Sequence, residues 1–251
     1  MIKFFRKIRF DLLEKNKTGK YLKYAIGEIV LVVIGILIAL SLNNWNETSK
    51  AQRIEMDILN EIKLSLVRDL KDIDINLKVH YEILRSQNIL VDWLANDEEY
   101  QDTLAKHFSR INGQTEFISN EGAFETLKSM GLWSLSNNSI RIKLLRIYDI
   151  KYKMYREYEN YYRTYLEHTI KYVNPEHFEL TEDLIVNNQV DIGQGEMKPT
   201  DVIRIKKDLE FKYWLKTNRN NNDKFIHFGI KLLISDIHLV INMISEELEN
   251  K

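Results

Sequence analysis

The stretch KYAIGEIVLVVIGILIALSLNNWNE, residues 23–47, limits what this chain can fold into more than any other. Across residues 29–42, Ser41 is the sole polar side chain. As a helix rising about 1.5 Å per residue, that run is roughly 21 Å long, short of a hydrocarbon core of about 30 Å. A full span therefore draws on residues 21–27 before it and 43–45 after it, with Tyr21, Tyr24 and Trp45 as interfacial aromatics. Residues 21–45 are expected to form one transmembrane helix. Charge orients it. Residues 1–24 carry eight Lys and Arg against two acids, a net +6, while the whole chain is at −1. Basic flanks stay on the cytoplasmic side. Residues 1–20 thus read as a basic cytoplasmic leader and residues 46–251 as an exported domain. A cleaved signal peptide is the competing reading, because Ala39-Leu40-Ser41 has the small-x-small form; the long charged leader and Glu28 oppose it.

Glu28 stands at the head of the apolar run. Its simplest place is the cytoplasmic interface, tied to Lys23 or Tyr24 in the preceding turn. The alternative is a polar contact between spans, for which Gly35 and Ala39 supply a small-xxx-small pair that lets two helices approach.

Two blocks carry a family resemblance: KTGKYLKYAIGEIVLVVIGILIALSLNNWNE (17–47) and SNEGAFETLKSMGLWSLSNNSIRIKLLRIYD (119–149). They resemble an uncharacterised family of single-span membrane proteins common in Bacteroidota. The resemblance implies a topology and a bacterial envelope location; with the orientation read from charge, the chain is expected in the bacterial inner membrane with its bulk periplasmic. It implies no catalytic residue.

The exported part reads as helices. Two prolines and nine glycines in 251 residues leave long segments unbroken. Over residues 51–94 a heptad column runs Leu59, Leu66, Ile73, His80, Gln87, Leu94, beside a second of Leu70, Leu77, Leu84 and Val91. The membrane helix is expected to continue into this one. Residues 224–249 give another amphipathic helix, with columns Ile226/Leu233/Val240 and Ile230/Ile237/Ile244. Ser119 or Asn120 is expected to cap a helix ending at Gly131, and residues 136–138 offer the next cap. A single helix is expected over 200–217, a turn or cap at NRNNND (218–223), and a lid or contact loop over 181–199. The fold class is therefore all-α: one transmembrane helix leading into an extracytoplasmic antiparallel bundle of four to six helices.

The most unusual surface lies in YDIKYKMYREYENYYRTYLEHTIKY (148–172). Tyr155, Tyr158, Tyr162 and Tyr165 share one helical face, which Tyr148 extends. Tyrosine joins apolar area to a hydroxyl that needs a partner. The face is read either as an interaction surface or as rings packed inward with hydroxyls at the bundle edge. His80 is similarly either a pH-sensitive seam residue or a hydrogen-bonded core histidine.

Chemistry-bearing motifs are sparse. No cysteine is present, and the six histidines fall in no ligand spacing. No P-loop, GxGxxG or GxSxG occurs. No cofactor, metal or nucleic-acid partner is expected, and the basic leader is read as a topology and lipid signal. The expected partners are the membrane and either a second protein or further copies of this chain. Three functions remain, in descending order: a protein-interaction or scaffold module, a ligand sensor acting through a partner, and an enzyme.

Overall fold

The computed structural model describes residues 18–180, 185–186, 189–190 and 195–250. Most of the basic leader and the body of the 181–199 loop lie outside the described residues. The chain divides into two compact units, Met1–Met56 and Asp57–Lys251. The architecture is all-α, with α1 at Thr18–Ala95, α2 at Ala105–Arg110, α3 at Gly122–Met130, α4 at Asn138–Leu145 and α5 at Tyr152–His168. There follow α6 at Asn174–His177, α7 at Val202–Lys207, α8 at Leu209–Lys224 and α9 at Lys231–Glu249. Strand content among the described residues is two antiparallel pairs, Phe178–Leu180 with Met197–Pro199 and Ile185–Val186 with Gln189–Val190.

In the first unit, the large apolar side chains of residues 29–42 are all exposed, Leu31 at 63%. The stretch is long and apolar enough to cross a membrane. Gly35 has open space where a Cβ would stand. Glu28 is partly exposed and has an interaction partner. The Tyr24 side chain, one of its two expected partners, lies outside the described residues. Leu209–Glu249 is also long and apolar enough to span. There, however, Phe225, Ile226, Ile230, Leu233, Ile237, Val240 and Ile244 are buried as core.

The second unit is built on three long rods. The first is α1 beyond Met56; the second is α4 and α5, joined by a π-helical turn at Arg146–Lys151; the third is α8 and α9, joined by another at Phe225–Ile230. Every member of the first heptad column, from Leu59 to Leu94, is buried, and so are both columns of the third rod from Ile226 to Ile244. At about 1.5–3 kcal/mol for each fully buried Leu or Ile, these columns supply the main drive for packing. The third rod runs antiparallel to the other two: Asn137 meets Glu247, Lys151 meets Asp236, and Tyr158 stacks on Phe225. The first two run parallel, since Asp69 bonds Tyr152 and Asn76 bonds Tyr155. An extended strap makes this possible by carrying the chain back along α1. Thr115 bonds His80, the Ile118 amide donates to Asp72, and the Asn120 amide donates to Asp69.

Tertiary partners redirect some of the local signals. Asn137 caps α4 as expected, accepting from the Ser139 and Ile140 amides. Gly131 ends α3 at φ +94, and a Cβ there would stand 2.7 Å from the Trp133 ring nitrogen. Neither Ser119 nor Asn120 caps α3: Asn120 serves Asp69, while Ser119 donates to Glu121. The helix expected over 200–217 is broken at Asp208, whose carboxylate accepts the Phe211 amide and starts α8. The turn expected at 218–223 is helix, because Asn218 and Asn222 are drawn into the core.

Gly229 sits in the third rod's π turn, where a Cβ would lie 2.5 Å from the Phe225 ring and 3.4 Å from Tyr158. Phe225 is itself held edge-on by His80 and Tyr155. Gly229→Ala is therefore expected to cost about 1–3 kcal/mol by overpacking. Its denaturation midpoint against wild type measures this.

Candidate functional site

The second rod carries the tyrosines, and most of their rings turn inward. Tyr148, Tyr155 and Tyr162 are buried, together with Tyr152. As core side chains of the folded chain, these three do not form a solvent-facing surface. Tyr158 and Tyr165 remain partly exposed. The inward side forms an aromatic stack: Phe124 lies flat on Tyr148 at 4.2 Å, Tyr148 meets Tyr152 at 5.1 Å, and Phe117 meets both Tyr152 and Tyr155 at 5.0 Å. Burial holds the hydroxyls of Tyr148, Tyr152, Tyr155 and Tyr162 above the ordinary tyrosine value, so they stay neutral. Two find polar partners: Tyr152 donates to Asp69 Oδ2 at 2.5 Å, and the Tyr155 oxygen accepts from Asn76.

Asp69, wholly buried, forms a clamp. Its other oxygen accepts from the Asn120 backbone and side-chain amides at 2.8 and 2.7 Å. Burial raises its pKa, against the lowering effect of those hydrogen bonds and with a smaller push from Asp72. Beside it, Arg156 ties Ser119 and Glu121 to the same rod. The SNE start of the second family-like block thus acts as a polar latch between strap, α1 and α5.

Farther along, a polar layer separates two apolar clusters. One cluster holds Leu59 to Ile73 with Ile230, Leu233, Ile237, Val240 and Ile244; the other gathers Leu90, Phe108, Phe178, Phe211 and Trp214. Between them His80 Nδ1 meets Asn222 Oδ1 at 2.7 Å, and Nε2 meets the Thr115 hydroxyl at 2.9 Å. Since Asn222 Oδ1 can only accept, the ring proton is on Nδ1. Asn222 donates to the His80 carbonyl and to Gln87. The Tyr162 hydroxyl lies against Asn218 and Gln87, without a bond of regular geometry. Burial drives the His80 pKa down to about 4, only partly countered by Asn222. The imidazole is therefore neutral across the physiological range. Such a layer fixes the register of rods whose apolar columns alone would tolerate sliding.

Glu159, one turn before Tyr162, is also buried. Burial raises its pKa to about 7, against the Phe117 amide and Arg163, with Glu116 and Asp72 adding to the rise.

The outer side of the same rod is different in kind. Ile150, Met154 and Tyr161 are between 43% and 54% exposed. With Asp149, Lys153, Glu157 and Tyr158 they line a shallow groove of about 590 Å³. Asp149 pairs with Lys128 at 3.1 Å. Apolar residues at i, i+4 and i+11, edged by charges of both signs, match the faces that helices use to take up other helices.

The histidines are dispersed. His107 meets Ser86, His177 meets Asp208, His227 meets Asp223, and His168 packs on Tyr172. Among the described residues no three His, Cys, Asp or Glu side chains gather as a metal site. Sequence reasoning missed Asp69, Glu159, Asn218 and Asn222. The usable signal was their position: Asp69 stands one residue before Leu70 of the second column, and Asn222 four before Ile226.

No curated protein and no solved structure gives a significant match to the chain. One family does match, over residues 28–191, which takes in the apolar run, α1 beyond it, the strap, the clamp and α5. With well over half its length in that match, the chain belongs to DUF6090, a family of unknown function.

Proposed function

We propose that this chain is a single-pass protein of the bacterial inner membrane, with its N-terminus in the cytoplasm, whose periplasmic helical domain docks another protein. The exposed ridge Ile150, Met154 and Tyr161 carries this reading. A parallel pairing of the ridge with its own copy would set Glu157 against Glu157, so the favoured partner is a helix of a different protein. The apolar run and the basic residues before it support the anchor and its orientation. The interior contributes a rigid frame: clamp and polar layer hold the second rod so that its outer face is presented in one register.

Gentle detergent extraction of the full chain is expected to retain a stoichiometric partner. A variant combining Met154→Arg with Tyr161→Arg should lose it while keeping a cooperative melting transition, because both side chains are about half exposed and outside the core. Retention of the same partner by this variant would sink the assignment of the ridge.

A further inference from the structure

A second cleft, with a different lining, opens between the C-terminal part of α5 and α8. Its volume is about 350 Å³. α5 contributes Thr164, Tyr165 and His168; α8 contributes Glu210, Tyr213 and Trp214. The floor is firm: Trp214 is buried and packs on Phe211 at 6.0 Å within the second apolar cluster. Val173, also buried, comes from the π turn Thr169–Val173. The rim is aromatic and open. Tyr165 leans on Tyr161 at 5.3 Å, while Tyr213 stands 70% exposed.

The walls select the occupant. Their exposed surface is almost wholly apolar, so a sugar or other polyol would lose water from most of its hydroxyls and find few partners. An anion would meet three aromatic side chains and the Glu210 carboxylate. No Lys or Arg lines the cleft, and Glu210 is its one carboxylate. Aromatic faces attract cations, and the attraction is strongest where water is excluded. A primary ammonium needs several acceptors for its three N–H groups, and the lining offers few beyond Glu210. A methylated ammonium has no such demand; it is weakly hydrated, apolar at its surface and positively charged.

We propose that this cleft binds a small organic cation bearing a quaternary ammonium group, with Tyr165, Tyr213 and Trp214 as aromatic walls and Glu210 as counter-charge. The proposal does not rest on the ridge or on a protein partner.

Isothermal titration of the full chain in dodecyl maltoside micelles, which carry no ammonium head group, tests it. The probes are choline and benzyltrimethylammonium, compared with 3,3-dimethylbutan-1-ol, the uncharged isostere of choline. Saturable binding of at least one cation is expected, with the isostere weaker by about tenfold or more. Glu210→Gln and Tyr213→Ala, both changes at exposed positions, should each weaken the cation by a similar factor. The proposal is overturned if neither cation binds saturably, if the isostere binds as well as choline, or if both variants keep wild-type affinity.

Discussion

Replacing Asp69 by alanine is expected to remove about 3–5 kcal/mol of stability, the range for stripping one partner from a buried charged network. Three donors would lose their acceptor together: the Tyr152 hydroxyl and both Asn120 amides. The Tyr152 hydroxyl has no ready access to water, since its side chain is fully buried. Tyr152→Phe removes one donor and leaves the carboxylate two, so its cost should be near 1–2 kcal/mol. In a double-mutant cycle, the two changes should be strongly non-additive, as neighbours in one network are. Denaturation midpoints of the four proteins measure this. Additive losses would mean that the clamp is not a unit, and a loss below about 1 kcal/mol for Asp69→Ala would remove it from the account.

The second large effect is a pair of opposed pH dependences. His80 titrates near 4 in the folded chain against an ordinary 6.5. Its contribution to stability is complete above pH 6.5 and is lost as pH falls toward 4. At about 1.36 kcal/mol for each pH unit separating the folded from the unfolded value, the loss is about 3 kcal/mol at most. Glu159 works the other way. Its folded pKa of about 7 lies above the ordinary 4.5, so its contribution is complete below 4.5 and lost as pH rises through 7. Over their shared window the two slopes offset each other, and wild-type stability should change little there on their account. Glu159→Gln should expose the histidine slope, with stability falling steeply on acidification from pH 6.5. His80→Gln should expose the carboxyl slope, with stability falling as pH rises toward 7. Thermal melts at half-unit steps distinguish these outcomes; parallel profiles for both variants and wild type would contradict the roles given to His80 and Glu159.

Much of this architecture is legible because apolar periodicity reports burial directly. The columns from Leu59 to Leu94 and from Ile226 to Ile244 are readable from spacing alone, and all those side chains are buried. What the sequence conceals are features set by distant partners. An asparagine run such as 218–223 has turn chemistry by local rules. Its helical state depends on His80 and Gln87, more than a hundred residues earlier. The parallel course of α5 and α1 is hidden for the same reason. It follows from the strap, whose extended path is fixed by bonds to Asp69, Asp72 and His80 and not by its own pattern. The tyrosine face shows the limit of composition. Residue spacing places the rings on one side of a helix, but which side meets the core is decided by Phe117, Phe124 and Phe225.

The central claim is that the outer face of the second rod docks a protein, and site-specific photocrosslinking in living cells tests it most directly. A photoreactive residue would replace Met154 on the ridge in one strain and Asp74, exposed on α1, in another. The account predicts a discrete crosslinked species at Met154, identified by mass spectrometry as one envelope protein, lost when Tyr161→Arg is added and absent at Asp74. The same diffuse background at both positions would contradict it.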